Sequence, residues 1–202
     1  MGFIKGGATM CRYRILEEPE GGLTDNFVEE RLKKNAFNDI EDSPEELSVG
    51  WVELFNHLNT NFNQASYNFG GFLAFTLRQD ERKLSAKTLN RYYAIREAKF
   101  IAETGRKPNT IKKTEMKESL RLDLLRRSLL NTNLYQTVWL KEHNEVWLDG
   151  TSEKIRSLFE DFWARTFGLA IRLLVPISLG LELLPEQSHD ALANLEPSSI
   201  WD

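Results

Sequence analysis

From Ile155 to Trp163, apolar residues recur at i, i+3, i+4, i+7 and i+8 through Leu158, Phe159 and Phe162. Glu153, Lys154, Arg156, Glu160 and Asp161 take the positions between. That spacing draws one apolar stripe along an amphipathic helix, and Gly150-Thr151-Ser152 supplies its start. Residues 8–16 follow the other period: Cys11, Tyr13 and Ile15 alternate with Arg12 and Arg14, which predicts a half-buried strand. Leu134–Leu140 and Glu145–Asp149 read as strands around a Lys-Glu-His-Asn turn. Leu169, Ile171, Leu173, Val175 and Ile177 alternate as a final strand.

The segments between these are set by breakers and caps. Gly21-Gly22 ends the first strand, and Thr24 or Asp25 caps a helix to about Phe37, with Phe27, Val28, Leu32 and Ala36 inward. Residues 38–68, rich in Asn, Asp and Ser, are expected to be mostly irregular around the apolar stretch Gly50–Phe55. A second strand is expected over Gly71–Leu77. Ser85 caps a helix to about Thr104, Gly105 and Pro108 break it, and a second helix runs from about Lys112 to Leu130. Two such helices, antiparallel, would each reach roughly 30 Å. The expected class is α+β: two strand-helix-strand lobes with antiparallel sheets and a protruding basic αα-hairpin. The divisions are 1–80, 81–131, 132–180 and an acidic tail over 181–202.

Composition narrows the function classes. The 202 residues are 41% hydrophobic and include 12 Phe and 5 Trp, enough for a packed core rather than a disordered chain. The single cysteine, Cys11, excludes an internal disulfide framework and a Cys-rich zinc site. Met1–Met10 lack a signal peptide's apolar stretch, and Arg172, Pro176 and Glu182 interrupt the apolar run from Leu169 to Leu184. These features predict a cytoplasmic protein with no membrane partner.

Charge changes the picture more. The net charge is −4, from 26 basic and 30 acidic residues. Between Arg78 and Arg127, fifteen basic residues face seven acidic ones, a local +8 that leaves −12 for the remainder. Beyond Arg172 there is no Lys or Arg, while Glu182, Glu186, Asp190, Glu196 and Asp202 follow. Lys83, Lys87 and Arg91 recur every fourth residue, as do Lys113, Lys117 and Arg121, so each helix is expected to carry a basic ridge. The tip between them, Thr104–Thr114, holds Arg106, Lys107, Lys112 and Lys113 without an acid. Cations at a helix start oppose the macrodipole, and an external polyanion would reverse that penalty. Such a surface neutralises phosphates without reading bases, and no helix-turn-helix or zinc-finger pattern is present. The acidic tail is a candidate competitor for the same surface. Leucines spread around the second helix point to a subunit contact at Leu125, Leu129 and Leu130.

Other chemistry has weaker signals. His57, His143 and His189 lie far apart, and no Walker loop or nucleophile elbow is present. Asn68–Phe72 reads as a turn or bulge beside a strand. Glu115-Met116-Lys117 has a nuclease-like spacing but sits in a helix without a nearby Asp. Trp139, Trp147, Phe159, Phe162, Trp163 and Phe167 fit core periods, and Tyr92-Tyr93 fits helix–helix packing. No catalytic residue, metal site or cofactor is expected.

The stretch from Phe72 to Leu130 (FLAFTLRQDERKLSAKTLNRYYAIREAKFIAETGRKPNTIKKTEMKESLRLDLLRRSLL) resembles the central segment of the bacterial recombination-associated RdgC family. Around it, Phe3–Gly7 with Cys11–Ile15, Val49-Gly50-Trp51-Val52, and Tyr135–Asp149 followed by Thr151–Lys154 resemble that family's opening strand, GWV segment, hairpin and next helix. The resemblance covers roughly residues 3–178, in matching order. It implies a nucleoid-associated homodimer that binds duplex DNA with little sequence preference and restrains recombination proteins; an exonuclease label is also attached to the family. By position, the family's basic contributions would fall on Arg78, Lys83, Arg106, Lys107, Lys113 and Lys117. The chain has Leu124-Leu125-Arg126-Arg127-Ser128-Leu129 where the family usually has LLPRAF. Typical members also continue past the last strand, so a closed ring, an open dimer and a clamp all stay open. The expected function is sequence-independent duplex binding in recombination or replication, without enzymatic activity. The alternatives are docking of an acidic protein on the hairpin and a phage-type exonuclease.

Overall fold

The computed structural model describes residues 2–3, 7, 9–19, 21–43 and 45–195. Strand β1 (Met10–Ile15) buries Tyr13 and Ile15 and leaves Arg12 and Arg14 on the other face, as the alternation predicts. Helix α1 (Asp25–Lys34) is capped by Thr24, whose side chain accepts from the Phe27 amide at 3.2 Å, and it buries Val28 and Leu32.

The next stretch departs from expectation. Residues 38–68 hold strand β2 (Leu47–Val52) and the short helix α2 (Gln64–Tyr67). The Asn- and Asp-rich flanks obscured a strand whose Trp51 is fully buried. Trp51 packs edge-on against Phe75 and Phe162, with ring centroids 4.8 and 5.3 Å away. Its Nε1 donates to Thr166 Oγ1 at 3.0 Å.

Gly50 explains how the chain leaves α1. Asn35–Phe37 lie along β2, the Trp51 amide donating to Asn35 O at 3.0 Å and the Phe37 amide to Trp51 O at 2.9 Å. A Cβ at Gly50 would stand 2.2 Å from Phe37 Cα, so only glycine lets the two backbones approach this closely.

Strand β3 (Phe72–Glu81) outruns the expected 71–77, with residues from Leu73 to Asp80 buried. Its polar end stays in the sheet because Arg78 and Asp80 satisfy each other, at 2.6 Å and 3.0 Å. Helices α3 (Ala86–Thr104) and α4 (Thr110–Arg127) follow, then β4 (Asn131–Leu140) and β5 (Glu145–Asp149). Helix α4 starts and ends earlier than Lys112–Leu130, because Asn109 caps one end and Ser128 the other.

Helix α5 (Glu153–Phe167) matches its predicted stripe, burying Phe159, Phe162, Trp163 and Phe167. The final strand is shorter than the alternation suggested: β6 covers only Ile171–Leu173. Pro176 then opens α6 (Pro176–Leu183), as a residue without an amide hydrogen favours the first helical turn, and α7 (His189–Ala193) follows.

All six strands form one sheet in the order β2-β3-β4-β5-β1-β6, with every neighbouring pair antiparallel. The α+β class and antiparallel pairing match expectation. The strands expected in two sheets join as one, because β4 pairs with β3 on one side and β5 on the other. Helices α1 and α5 cover one face of it, and the aromatic core lies between. No helix among the described residues is long and apolar enough to cross a membrane.

Candidate nucleic-acid interface

Helices α3 and α4 are locally well specified. The Ser85 hydroxyl accepts from the Thr88 amide at 3.1 Å, and Asn109 Oδ1 accepts from the Lys112 amide at 2.8 Å. Gly105, at φ +71°, takes the left-handed cap that ends α3 and turns the chain toward α4. The helices hold together through Met116 and Leu120 of α4 and a polar seam. In that seam Tyr93 Oη donates to Glu97 at 3.2 Å, Lys113 stands 3.9 Å from Glu97, and Arg96 stands 3.6 Å from Asp123. Lys117 Nζ lies 4.9 Å from the Tyr93 ring centroid, a cation–π contact. Tyr93 thus sits in the interhelical seam as expected. Tyr92 does not, being 42% exposed. No α3 residue is buried.

This packing redistributes the candidate cations. Lys83 precedes the Ser85 cap and pairs with Glu81 at 2.9 Å, so it does not extend a ridge through Lys87 and Arg91. Its hydrogen bond holds the Glu81 carboxyl below the usual carboxylate range. The row Lys113, Lys117, Arg121 is turned toward partners within the chain: Glu97, the Tyr93 ring, and Glu46 at 2.6 Å from Arg121. Lys112 pairs with Glu115 at 3.0 Å. Lys87, Arg91, Arg106 and Lys107 are exposed and have no ion-pair partner among the described residues.

Arg78 is not a surface cation. It is 9% exposed, bonded to Asp80, donates to His57 O at 3.1 Å and lies over the Phe37 ring at 4.2 Å. The Asp80 hydrogen bond raises the Arg78 pKa above its usual value. Leu125 is likewise withdrawn: at 1% exposure it is packed within its own chain and offers nothing to a second subunit. Leu129 is 92% exposed and Leu130 is half-buried.

Two residues gain roles that spacing did not signal. Arg82, only 4% exposed, donates to four carbonyls: Leu125 O, Ser128 O, Ile40 O and Glu41 O, at 2.6–3.0 Å. It fastens the C-terminal end of α4 to the loop after α1. Trp147, expected in the core, instead lies on the sheet face opposite α5. There it lines an apolar cavity of about 480 Å³ with Phe55, Phe69 and Phe72. Its Nε1 donates to Glu145 at 3.1 Å. Burial opposes ionisation of Glu145, but this bond, the Arg12 bonds and the Arg12 and Arg14 charges hold its pKa below the usual value.

The acidic C-terminal segment touches the sheet. Glu182 pairs with Arg14 at 3.1 Å and with Arg172. Glu196 and Asp202 lie outside the described residues. The three histidines make separate backbone contacts: His57 with Leu54 O, His189 with Leu184 O, and Arg14 with His143 O. Among the described residues no three His, Cys, Asp or Glu side chains cluster to hold a metal.

Comparison with protein families matches residues 10–172 to the family described as "Putative exonuclease, RdgC". The matched span opens at the first residue of β1 and closes within β6, so it contains strands β1 to β5, most of β6 and both long helices. No curated protein matches the chain.

Proposed function

The chain belongs to the RdgC family, and from that premise we propose that it binds duplex DNA without sequence preference through α3, α4 and the turn between them. The observation that carries this reading is the set Lys87, Arg91, Arg106 and Lys107, exposed and without ion-pair partners among the described residues. Cations left unneutralised by the fold gain most from phosphate oxygens, because no internal pair has to break. A 19-residue helix is about 28 Å long, enough to follow several successive phosphates. The protein then acts in recombination or replication by occupying duplex and blocking access of other proteins. A homodimer formed through exposed Leu129 would place two such surfaces on one duplex.

The test is a fluorescence-anisotropy titration of a labelled duplex between about 50 and 200 mM salt. Four phosphate contacts give a log–log slope of about −4 and on the order of a hundredfold loss of affinity across that range. Arg106→Glu with Lys107→Glu reduces the magnitude of the slope by about two. Absence of binding at the lower salt, or a slope unmoved by the double variant, overturns the proposal. Capture of an acidic protein without affinity for free duplex would replace it. The family description also names an exonuclease. Incubating end-labelled linear duplex with Mg²⁺ or Mn²⁺ tests that reading directly, since shortened products would establish cleavage.

A further inference from the structure

Helix α3 carries charge on both sides of its axis, but not the same charge. At 100° per residue, Lys87, Arg91, Ile95 and Lys99 fall on one face, and every one of them is exposed. Tyr92 flanks that row at 42% exposure, Ile95 within it is 57% exposed, and Thr88, Ala98 and Ala102 fill the remaining positions. The helix's two carboxylates lie in its second half. Glu97 is in the seam with Tyr93 and Lys113, and Glu103 stands 3.9 Å from Lys99, the two lining the cleft toward Lys112 and Met116. The outer face is therefore free of acid from Lys87 to Ile95.

Helix α4 has no matching face. Its exposed row from Ile111 to Leu122 passes through Glu115 and Glu118. An exposed isoleucine and tyrosine inside a cationic, acid-free helix face need a partner that offers anionic and apolar surface together. A nucleic-acid backbone does so, with phosphates alternating with deoxyribose rings, and small alanines allow the helix axis to approach it closely. A membrane surface would call for a broad apolar face, and here two large apolar residues stand among cations.

Resting on the duplex-binding reading above, we propose that the outer face of α3 lies along the duplex. Lys87 and Arg91 contact phosphates, and Tyr92 and Ile95 pack on the sugars beside them. Binding then has two separable parts: a salt-dependent part from the cations and a salt-independent part from the apolar pair. The Lys113–Lys117–Arg121 row, engaged inside the chain, contributes little to either.

The experiment is the salt titration of the full chain, extrapolated to ~1 M salt, where the counterion contribution vanishes. Tyr92→Ala with Ile95→Ala weakens the extrapolated affinity about tenfold and leaves the slope unchanged. Lys87→Gln with Arg91→Gln reduces the magnitude of the slope by about two. Ile111→Ala with Leu122→Ala, equally exposed on α4, changes neither quantity. All six side chains are exposed, so circular dichroism should report folded variants throughout. An extrapolated affinity unmoved by the Tyr92/Ile95 variant, or moved as much by the Ile111/Leu122 variant, overturns this inference while leaving duplex binding intact. Absence of wild-type binding at low salt removes the duplex-binding reading itself. Tighter binding to vesicles containing phosphatidylserine than to duplex assigns the face to a membrane and overturns the proposal.

Discussion

Replacing Gly50 with alanine tests the tightest surroundings of any glycine among the described residues. The added Cβ would lie 2.2 Å from Phe37 Cα, 2.4 Å from Phe37 N and 2.8 Å from Ala36 C, all backbone atoms that no rotamer change can move. The segment after α1 has to retreat by roughly an ångström to restore ordinary contact. Retreat stretches both hydrogen bonds that tie it to β2, Trp51 N to Asn35 O and Phe37 N to Trp51 O. Those groups sit beside fully buried Trp51, where each unpaired polar group costs about 1–3 kcal/mol. Phe37 also moves off the Arg78 guanidinium it covers at 4.2 Å. Together these losses amount to about 3–5 kcal/mol, a large share of a typical folding free energy of about 5–15 kcal/mol. Urea denaturation followed by tryptophan fluorescence measures the change, with a lower midpoint at an unchanged m-value as the expected signature. Amide exchange should quicken at Phe37 and Trp51. A loss below about 1 kcal/mol with unaltered protection at both amides would refute the reasoning, because the crossing segment would then be able to shift freely.

Arg82→Met removes four hydrogen bonds to backbone carbonyls and is expected to cost about 3 kcal/mol or more, with amide exchange rising first in the last turn of α4. Thermal unfolding and exchange mass spectrometry would detect both effects. Glu145 ionises below the usual carboxylate value of 4.5 when folded, so its contribution is fully present above pH 4.5 and is lost as pH falls through the depressed value. Glu145→Gln should therefore flatten the acid limb of a stability–pH curve while leaving its shape above that pH intact. Trp51→Phe deletes the bond to Thr166 and leaves that hydroxyl without its indole donor; a loss of about 1–3 kcal/mol is expected in the same urea assay. Leu129→Glu should lower the association constant of any homodimer in analytical ultracentrifugation without changing monomer stability, since Leu129 is 92% exposed.

Much of the fold was legible where one physical rule dominated. The 3.6-residue stripe of α5, the Ser85 and Gly105 boundaries of α3, and the alternation of β1 follow from local sterics and from burial of one face. The misreadings have a common cause. Strand β2 hides among Asn and Asp because its hydrophobic payload is concentrated in Trp51 and Val52, beside a glycine retained for a distant backbone. The expected strand stopped at Leu77, short of the polar end of β3, because Arg78 and Asp80 neutralise each other only once folded. The alternation continuing past Leu173 was a false strand signal, ended by Pro176.

The candidate interface shows the same division. By itself, the sequence determined that a stretch of about fifty residues carries an excess of eight positive charges, that it forms two long helices, and that a glycine turn joins them. It could not determine which of those cations face outward. Helical period assigns residues to faces, but only the packing of α3 on α4 decides which face meets a neighbour. That packing engaged Lys113 and Lys117, while Arg121 met Glu46 at the root of α4. It left Lys87, Arg91, Arg106 and Lys107 in solvent. Arg78 and Arg82 were drawn into the interior by carboxylate and carbonyl groups from up to 46 residues away. A charge is a property of a residue, but whether it is available to a partner depends on which opposite charge the fold brings within reach.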